Sequence, residues 1–146
     1  MRITRYTDYS LRVLMYVALK NGRLCTIGEI AQSYEISKNH LMKVVNKLAN
    51  DGYLISIRGK NGGMRLNKKP EMISIGELVR MTEEDIELVE CFGTGNCCKL
   101  TPACELKSIL SESLEAFFKT LDKYTLEDLL PPKRHKNMIK LLQIGI

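Results

Sequence analysis

The feature of this sequence that most constrains its fold is a pair of short amphipathic helices joined by three residues. Thr26-Ile27-Gly28-Glu29 has the pattern of a capping box, which marks the start of a helix. After the connection 35–37, a second helix is predicted over 38–51, with Ser37 as its N-cap and Gly52 at its end. Its apolar face consists of Leu41, Val44, Val45 and Leu48. Two such helices with so short a connection predict a helix-turn-helix.

A β-hairpin is predicted directly after these helices. Residues 53–57 and 64–67 alternate with a period of two, and Asn61-Gly62 lies between them. Asn-Gly between alternating runs is a strong hairpin signal, because a primed turn needs positive φ at both central residues. A helix-turn-helix followed by a basic-tipped hairpin is a winged helix. The predicted fold class is therefore mainly α with a small β-hairpin.

Further helices are predicted on both sides of this unit. Thr7 is the predicted N-cap of a first helix, and Ser74 with Glu77 forms a second capping box that opens a helix to about Glu83. Thr101-Pro102 opens a long helix to about Asp122, whose apolar face needs a partner helix and favours a symmetric dimer. Lys133 begins a basic tail. We predict a winged-helix domain over 1–84, a cysteine-rich loop over 85–100, and a dimerisation helix with a tail over 101–146.

Length and composition exclude several classes of protein. A chain of 146 residues gives a prior of one domain, or two small ones sharing a core. No apolar run approaches the roughly 20 residues of a membrane span, and the N-terminus has no secretory signal, so we expect a cytoplasmic protein without a membrane partner. There is no C-x-x-C, no nucleophile elbow and only two histidines, so we expect no enzyme.

The positive charge is concentrated around the predicted winged helix. The chain carries a net charge of +5, and residues 36–69 hold eight basic residues against the single acid Asp51. Amides and lysines on a helix can contact base edges and phosphates, so double-stranded DNA is the predicted partner. The candidate DNA-binding residues are Ser37, Lys38, Asn39, His40, Lys43, Asn46 and Lys47 on the helix, and Arg58, Lys60 and Asn61 on the hairpin.

Four of the five cysteines, Cys91, Cys97, Cys98 and Cys104, lie within fourteen residues. Clustered thiols in a reducing compartment favour metal binding or redox chemistry over disulfides. Their spacing alone leaves three readings open: a zinc site, a thiol switch and an iron–sulfur cluster. A cluster with four irons would need one ligand beyond three cysteines. The isolated Cys25 is predicted to be a small buried residue.

The residues also carry a resemblance to a known family. It rests on Arg2-Ile3-Thr4, on Thr7 to Arg12, on 36–44, on the hairpin tip 57–63, on Glu90-Cys91-Phe92, on Pro102 to Lys107, and on 121–129. In these motifs the whole chain resembles the NsrR/IscR-type winged-helix iron–sulfur regulators, and more specifically their nitric-oxide-sensing branch. The resemblance implies a homodimeric repressor that binds a two-fold operator and leaves it when nitric oxide nitrosylates the cluster.

The same resemblance implies a set of cluster ligands. One cluster per subunit, [4Fe–4S] or alternatively [2Fe–2S], would be held by Cys91, Cys98 and Cys104 together with Asp8 of the partner subunit. Arg12, one turn after Asp8, could hold that carboxylate. The adjacent Cys97 departs from the family pattern: the five-residue gap before Cys104 selects Cys98, while the same gap counted from Cys91 selects Cys97. We favour Cys98.

Two other functions fit parts of the sequence. The first is a regulator of the same fold that senses iron–sulfur supply or thiol oxidation without responding to nitric oxide. The second is a small thiol or metal enzyme, which the missing motifs disfavour. Cluster type and reactivity separate the first alternative from a nitric-oxide sensor.

Overall fold

Six α-helices and one two-stranded antiparallel sheet form across residues 2–145, which the computed structural model describes. The helices and strands are α1 (Arg5–Leu19), α2 (Ile27–Tyr34), α3 (Lys38–Asn50), β1 (Leu54–Ile57), β2 (Gly63–Leu66), α4 (Ile75–Thr82), α5 (Glu105–Leu121) and α6 (Pro132–Leu141). Single 3-10 turns occur at Pro70–Met72, Glu90–Phe92, Thr101–Ala103 and Glu127–Leu129. The predicted fold class, a mainly helical chain with a small hairpin, is confirmed.

The first helix begins three residues earlier than its predicted start. Thr4, not Thr7, is the N-cap of α1, and its Oγ1 accepts a hydrogen bond from the Thr7 backbone N–H at 3.3 Å. Thr7 is fully buried inside the helix. Both threonines can cap a helix, and the residues between them contain no breaker, so the helix extends back to the earlier one.

The main core lies between α1, α3 and the sheet. The apolar face predicted for the second helix is buried as expected: Leu41, Val44, Val45 and Leu48 are each at most 3% exposed. They pack with buried α1 residues that include Leu14 and Val17. Burying a side chain of this size stabilises the fold by about 1.5–3 kcal/mol. The packing therefore determines which face of α3 stays in solvent.

The hairpin forms where it was predicted, but its turn is different. Leu54 pairs with Leu66 and Ile57 with Gly63, so the connection comprises the five residues 58–62. The predicted primed turn at Asn61-Gly62 is wrong: of the two, neither has positive φ, and Gly59 takes the left-handed conformation at φ +115° instead. The Gly62 N–H donates to the Gly59 carbonyl at 3.0 Å, which closes the longer loop.

A backbone bridge anchors the hairpin to the helix-turn-helix. Cys25 and Met64 exchange two backbone hydrogen bonds of 3.1 and 2.7 Å. Next to the bridge, a Cβ on Gly63 would lie 2.7 Å from the Cys25 carbonyl oxygen, which is closer than real contacts allow. Only glycine fits at this position without moving the wing.

The long helix begins three residues later than predicted. Thr101–Ala103 forms a 3-10 turn, and α5 starts at Glu105 with Cys104 at its N-cap and no side-chain cap. Pro102 sits in the short turn rather than in the first turn of the long helix. The C-terminal half of α5 packs on α4 through Phe118, Ile75 and Val79.

The C-terminal segment predicted as a basic tail is a helix. Pro132 lies at the first position of α6, where the absence of an N–H costs nothing. The buried side chains Leu126, Leu130 and Ile144 pack in the same core as α1 and α3. The predicted domain boundaries after residues 84 and 100 remain predictions.

None of the helices between residues 2 and 145 combines the length and the apolarity that crossing a bilayer requires.

Candidate nucleic-acid interface and cysteine segment

The candidate recognition surface is the solvent-facing side of α3. Since Leu41, Val44, Val45 and Leu48 are directed into the core, the polar residues of the helix remain outside. The structure exposes nearly every candidate DNA-binding residue of this region: Ser37, Lys38, Asn39, His40, Lys43 and Asn46. Ser37 is at the N-cap as predicted, but its side chain makes no capping hydrogen bond. Its hydroxyl is therefore not engaged by the helix.

The turn between α2 and α3 sets the angle of this surface. Glu35 closes α2 in the left-handed conformation with φ of 54°, and the Ile36 N–H donates to the Ala31 carbonyl at 3.0 Å. Lys38 then starts α3 close to Gly28, where a Cβ would lie 3.2 Å from its Cε. The Lys38 side chain thus reaches the N-terminal turn of α2.

The wing contributes a second basic surface. Arg58, Lys60 and Asn61 are all exposed in the loop between β1 and β2. A groove of about 560 Å³ separates this loop from α3 and is lined by Lys38, Met42 and Asn46 on the helix side. Recognition helix and wing therefore present amide and basic groups to the same solvent region.

Lys47 is in a different environment from the other candidates. Its Nζ donates to Glu84 Oε1 at 3.3 Å and lies 5.6 Å above the centre of the Tyr6 ring. The hydrogen bond to Glu84 raises the pKa of Lys47. Lys47 is thus a member of the predicted interface that is already paired with a carboxylate.

The neighbouring Glu83 is held by the start of α1. Its Oε1 accepts from the Thr4 N–H at 2.7 Å, from Thr4 Oγ1 at 3.0 Å and from Thr7 Oγ1. Thr7 Oγ1 also lies 2.9 Å from Thr82 Oγ1, which donates to the Leu78 carbonyl. Nothing in the sequence marks Glu83 or Glu84 as functional, because contacts about 40–80 residues apart leave no periodic pattern.

The cysteine segment, residues 85–104, follows this pair of glutamates. All five cysteines lie within the described residues and carry free thiols. Cys91 and Cys104 are half-buried, whereas Cys97 and Cys98 are exposed. The Cys97 N–H donates to Glu90 Oε1 at 3.0 Å and the Cys98 N–H to Asn96 Oδ1 at 2.9 Å. Side chains rather than a helix or sheet hold this part of the backbone.

The donor chemistry of the segment suits an iron–sulfur group, which binds thiolates from irregular backbone. Over residues 2–145, however, no three Cys, His, Asp or Glu side chains are gathered closely enough to hold a metal ion. The ligand set Cys91, Cys98 or Cys97, and Cys104 therefore remains a prediction. Cys25 differs from these thiols: it is 1% exposed as predicted, and burial raises its pKa to about 12.

Asp8 lies on α1, outside the cysteine segment. Arg12 donates to both of its carboxylate oxygens, from Nε at 3.0 Å and from Nη2 at 2.8 Å. The guanidinium also lies 5.7 Å from the centre of the Tyr34 ring, at the end of α2. The predicted contact between Arg12 and Asp8 is present, and the Asp8 side chain is 38% exposed. Its role as a ligand remains a prediction.

These features define a winged-helix transcriptional regulator with a DNA-binding surface and an attached cysteine segment. Residues 3–132 match the Rrf2 family, which is described as an iron-dependent transcriptional regulator. The chain belongs to the Rrf2 family.

Similar proteins agree with this assignment. The chain is 54% identical over 137 residues to the HTH-type transcriptional regulator NsrR of Bacillus licheniformis, covering 92% of this chain and 96% of that protein. It is 51% identical over 146 residues to the protein of the same name in Bacillus subtilis, covering 99% of each. A solved structure of a transcriptional regulator from Listeria innocua has a TM-score of 0.71 and 31% identity, covering 89% of this chain and 86% of that one. The chain is therefore a transcriptional regulator and not an enzyme.

Proposed function

We propose that this chain is a homodimeric repressor that binds DNA in a form controlled by an iron–sulfur cluster and leaves the DNA in response to nitric oxide. The observation that carries the proposal is the position of the cysteine segment. The segment carries four free thiols, two of them exposed, and it follows Glu83 and Glu84, which contact α1 and the recognition helix. The iron-dependent description of the family and the name NsrR of its relatives support the same conclusion.

Four residues of the dimer would hold the cluster, one cluster per subunit. Cys91, Cys98 and Cys104 would provide three thiolates, with Cys97 as the alternative to Cys98, and Asp8 of the partner subunit would provide a carboxylate. Cysteine thiolates favour [4Fe–4S] or [2Fe–2S] clusters. When bound, the cluster supplies iron that reacts with nitric oxide.

The residues of the chain connect this segment to the DNA-binding surface. Glu83 holds the N-terminus of α1 through Thr4 and Thr7, and Glu84 holds Lys47 of α3. A movement of the segment therefore changes both the position of α1 and the charge that α3 presents. Only about 1.4 kcal/mol of difference between two conformations changes operator affinity tenfold.

The proposed DNA complex has two-fold symmetry. Each subunit presents one recognition helix and one wing, so a dimer would contact two half-sites about 34 Å apart on one face of the duplex. The apolar side chains Leu106 and Ile109 of α5 are 59% and 57% exposed, which provides a surface for the second subunit.

The proposal is tested on protein purified without oxygen. We expect an absorption band near ~400 nm and about four irons per subunit, since thiolate-bound cubane clusters are iron-rich chromophores. Nitric oxide should bleach this absorption band and, in parallel, lower the affinity of the protein for operator DNA. The Cys104→Ser variant is the control: it should be colourless and its DNA binding should not respond to nitric oxide.

Other results would contradict the proposal. Protein that holds a cluster but keeps its DNA affinity under nitric oxide would indicate a sensor of iron–sulfur supply. Protein that remains colourless after iron and sulfide are added, but changes its DNA affinity with a thiol oxidant, would indicate a thiol switch.

A further inference from the structure

The recognition helix is flanked by a hollow on each side. One is the groove toward the wing, lined on the helix by Lys38, Met42 and Asn46. The other lies toward α1 and is lined by Arg5, Tyr6, Tyr9, His40, Lys43 and Val44. The helical spacing accounts for this division, because positions 38, 42 and 46 lie on one side of α3 while 40, 43 and 44 lie on the other.

The hollow on the α1 side combines basic side chains with an apolar lining. Its rim has Arg5, His40 and Lys43, and its lining contains no carboxylate. The Tyr9 ring lies beside His40, with ring centres 6.5 Å apart. The hollow measures about 260 Å³, and Val44 is its buried wall.

The basic residues of this hollow differ from others near it. Arg12 is paired with Asp8, and Lys47 with Glu84. Within the part of the chain that the structure describes, Arg5 and Lys43 take part in no ion pair. Two exposed cations beside one cavity without a carboxylate indicate an anion supplied from outside the chain.

The dimensions of DNA identify that anion. A major groove about 12 Å wide is filled by an α-helix of about 10–12 Å diameter, so a phosphate strand runs along each side of the inserted helix. The wing is on one side of α3 and α1 on the other. We propose that Arg5 and Tyr9, together with His40 and Lys43, bind a backbone phosphate on the strand opposite the one that meets the wing.

This inference extends the DNA interface onto α1, which the sequence analysis did not include. It rests on the DNA-binding part of the proposed function and not on the response to nitric oxide. A phosphate contact should act equally on every DNA sequence, because phosphates carry no base information. The test can therefore use a duplex of arbitrary sequence.

The experiment measures binding of the full-length protein to such a duplex by fluorescence anisotropy over a series of potassium chloride concentrations, without nitric oxide. For Arg5→Ala we expect affinity about three- to tenfold weaker at low salt, and a plot of log K against log salt whose slope is smaller by about 0.9. Tyr9→Phe removes one hydroxyl and keeps the ring beside His40, so its loss should be smaller. Lys123→Ala removes one exposed positive charge after α5 and is the matched control; it should change neither value.

Thermal unfolding followed by circular dichroism shows whether each variant is folded. If Arg5→Ala does not fold, Arg5→Gln provides a second substitution at the same position. An unchanged slope in a folded Arg5 variant would overturn the proposal, as would an equal change in Lys123→Ala. A loss confined to one DNA sequence would indicate a base contact and would overturn it as well. None of these outcomes depends on whether the protein responds to nitric oxide.

Discussion

Cys25 and the four later cysteines have opposite environments. Cys25 is buried, its Sγ lies 3.7 Å from the Met64 carbonyl oxygen, and desolvation raises its pKa to about 12. At neutral pH it is a protonated thiol and a poor nucleophile or metal ligand. The chemistry proposed for this chain therefore depends on the exposed segment and not on the total number of cysteines.

The adjacent pair Cys97 and Cys98 offers a direct test of the ligand assignment. We expect Cys98→Ser to lose most of its iron and its colour, while Cys97→Ser keeps both, since the gap before Cys104 selects Cys98. The measurement is iron content per subunit after anaerobic purification. Both variants change one sulfur to oxygen at neighbouring exposed positions, so each is the control for the other. Iron loss in Cys97→Ser alone would reverse the assignment.

Asp8 differs from the other proposed ligands in its chemistry, because its carboxylate already pairs with Arg12. The Asp8→Ala variant removes an exposed i,i+4 ion pair, which costs no more than about 0.5 kcal/mol of folding stability. We expect unchanged thermal unfolding of the apoprotein but faster loss of the visible absorption band in air. Glu115→Ala removes the comparable pair with Lys119 on α5 and should leave the band lifetime unchanged. An equal lifetime in both variants would remove Asp8 from the site.

Among the elements, α2 shows how a helix cap is linked to a buried charge. Glu29 Oε2 accepts from the Thr26 N–H at 2.6 Å, and its other oxygen pairs with Lys20, whose side chain is 8% exposed. Burial opposes ionisation of Glu29, but the bonds from Thr26 and Lys20 outweigh it and hold the pKa of Glu29 below its ordinary value of 4.5. The charged form of Glu29 therefore stabilises the fold.

This linkage predicts a pH-dependent effect of Glu29→Gln. Glutamine can keep the cap but leaves Lys20 without a countercharge, so we expect a loss of about 1 kcal/mol at neutral pH, discounted for the partly exposed carboxylate. The stabilisation by Glu29 is complete above its ordinary pKa and disappears as the pH falls through the lower pKa of the folded state. Chemical denaturation of both proteins at neutral and strongly acidic pH checks this. A difference that persists in acid would mean that the cap, not the charge, is lost.

The element scale also shows what a single sequence can and cannot predict. The helices whose apolar faces recur every three or four residues were predicted within a few residues, since burial enforces that periodicity. The predicted helix starts were wrong where more than one residue could serve as the N-cap: Thr4 or Thr7 for α1, and Thr101 or Cys104 for α5. The wing turn was wrong because Gly59 also permits a left-handed conformation, and the longer loop uses it.

At the scale of the whole molecule, the exposed half of α5 is the surface on which dimer formation would depend. We expect Ile109→Glu to weaken dimerisation strongly. The new carboxylate would have to lose its hydration water when the apolar surfaces of the two subunits come together, and burying an unpaired charge is costly. Sedimentation equilibrium against concentration measures this. Ser108→Glu on the same helix is the control, because Ser108 is exposed and lies away from the face that carries Leu106 and Ile109; this variant should remain dimeric. A dimer unaffected by Ile109→Glu would place the subunit interface elsewhere.

The connection between the DNA-binding surface and the cysteine segment could not be predicted from the sequence. The individual residues of the recognition helix and the cysteines were recognised from composition and spacing. No function was predicted for Glu83 or Glu84, because nothing in their local sequence indicates that they reach Thr4 and Lys47. Long-range contacts between surface side chains depend on how helices pack, which a local pattern does not encode.

The ion pair between Glu84 and Lys47 gives the protein an internal mimic of a DNA phosphate. A duplex that binds α3 through Lys47 must first displace this carboxylate, so the lysine exchanges one anion for another. The duplex releases a cation at this contact, but the freed Glu84 carboxylate can take one up, so Lys47 would add less to the salt dependence of binding than an unpaired lysine does. Withdrawal of Glu84 would restore that contribution, so the affinity for DNA could be adjusted without any change in the residues that touch it.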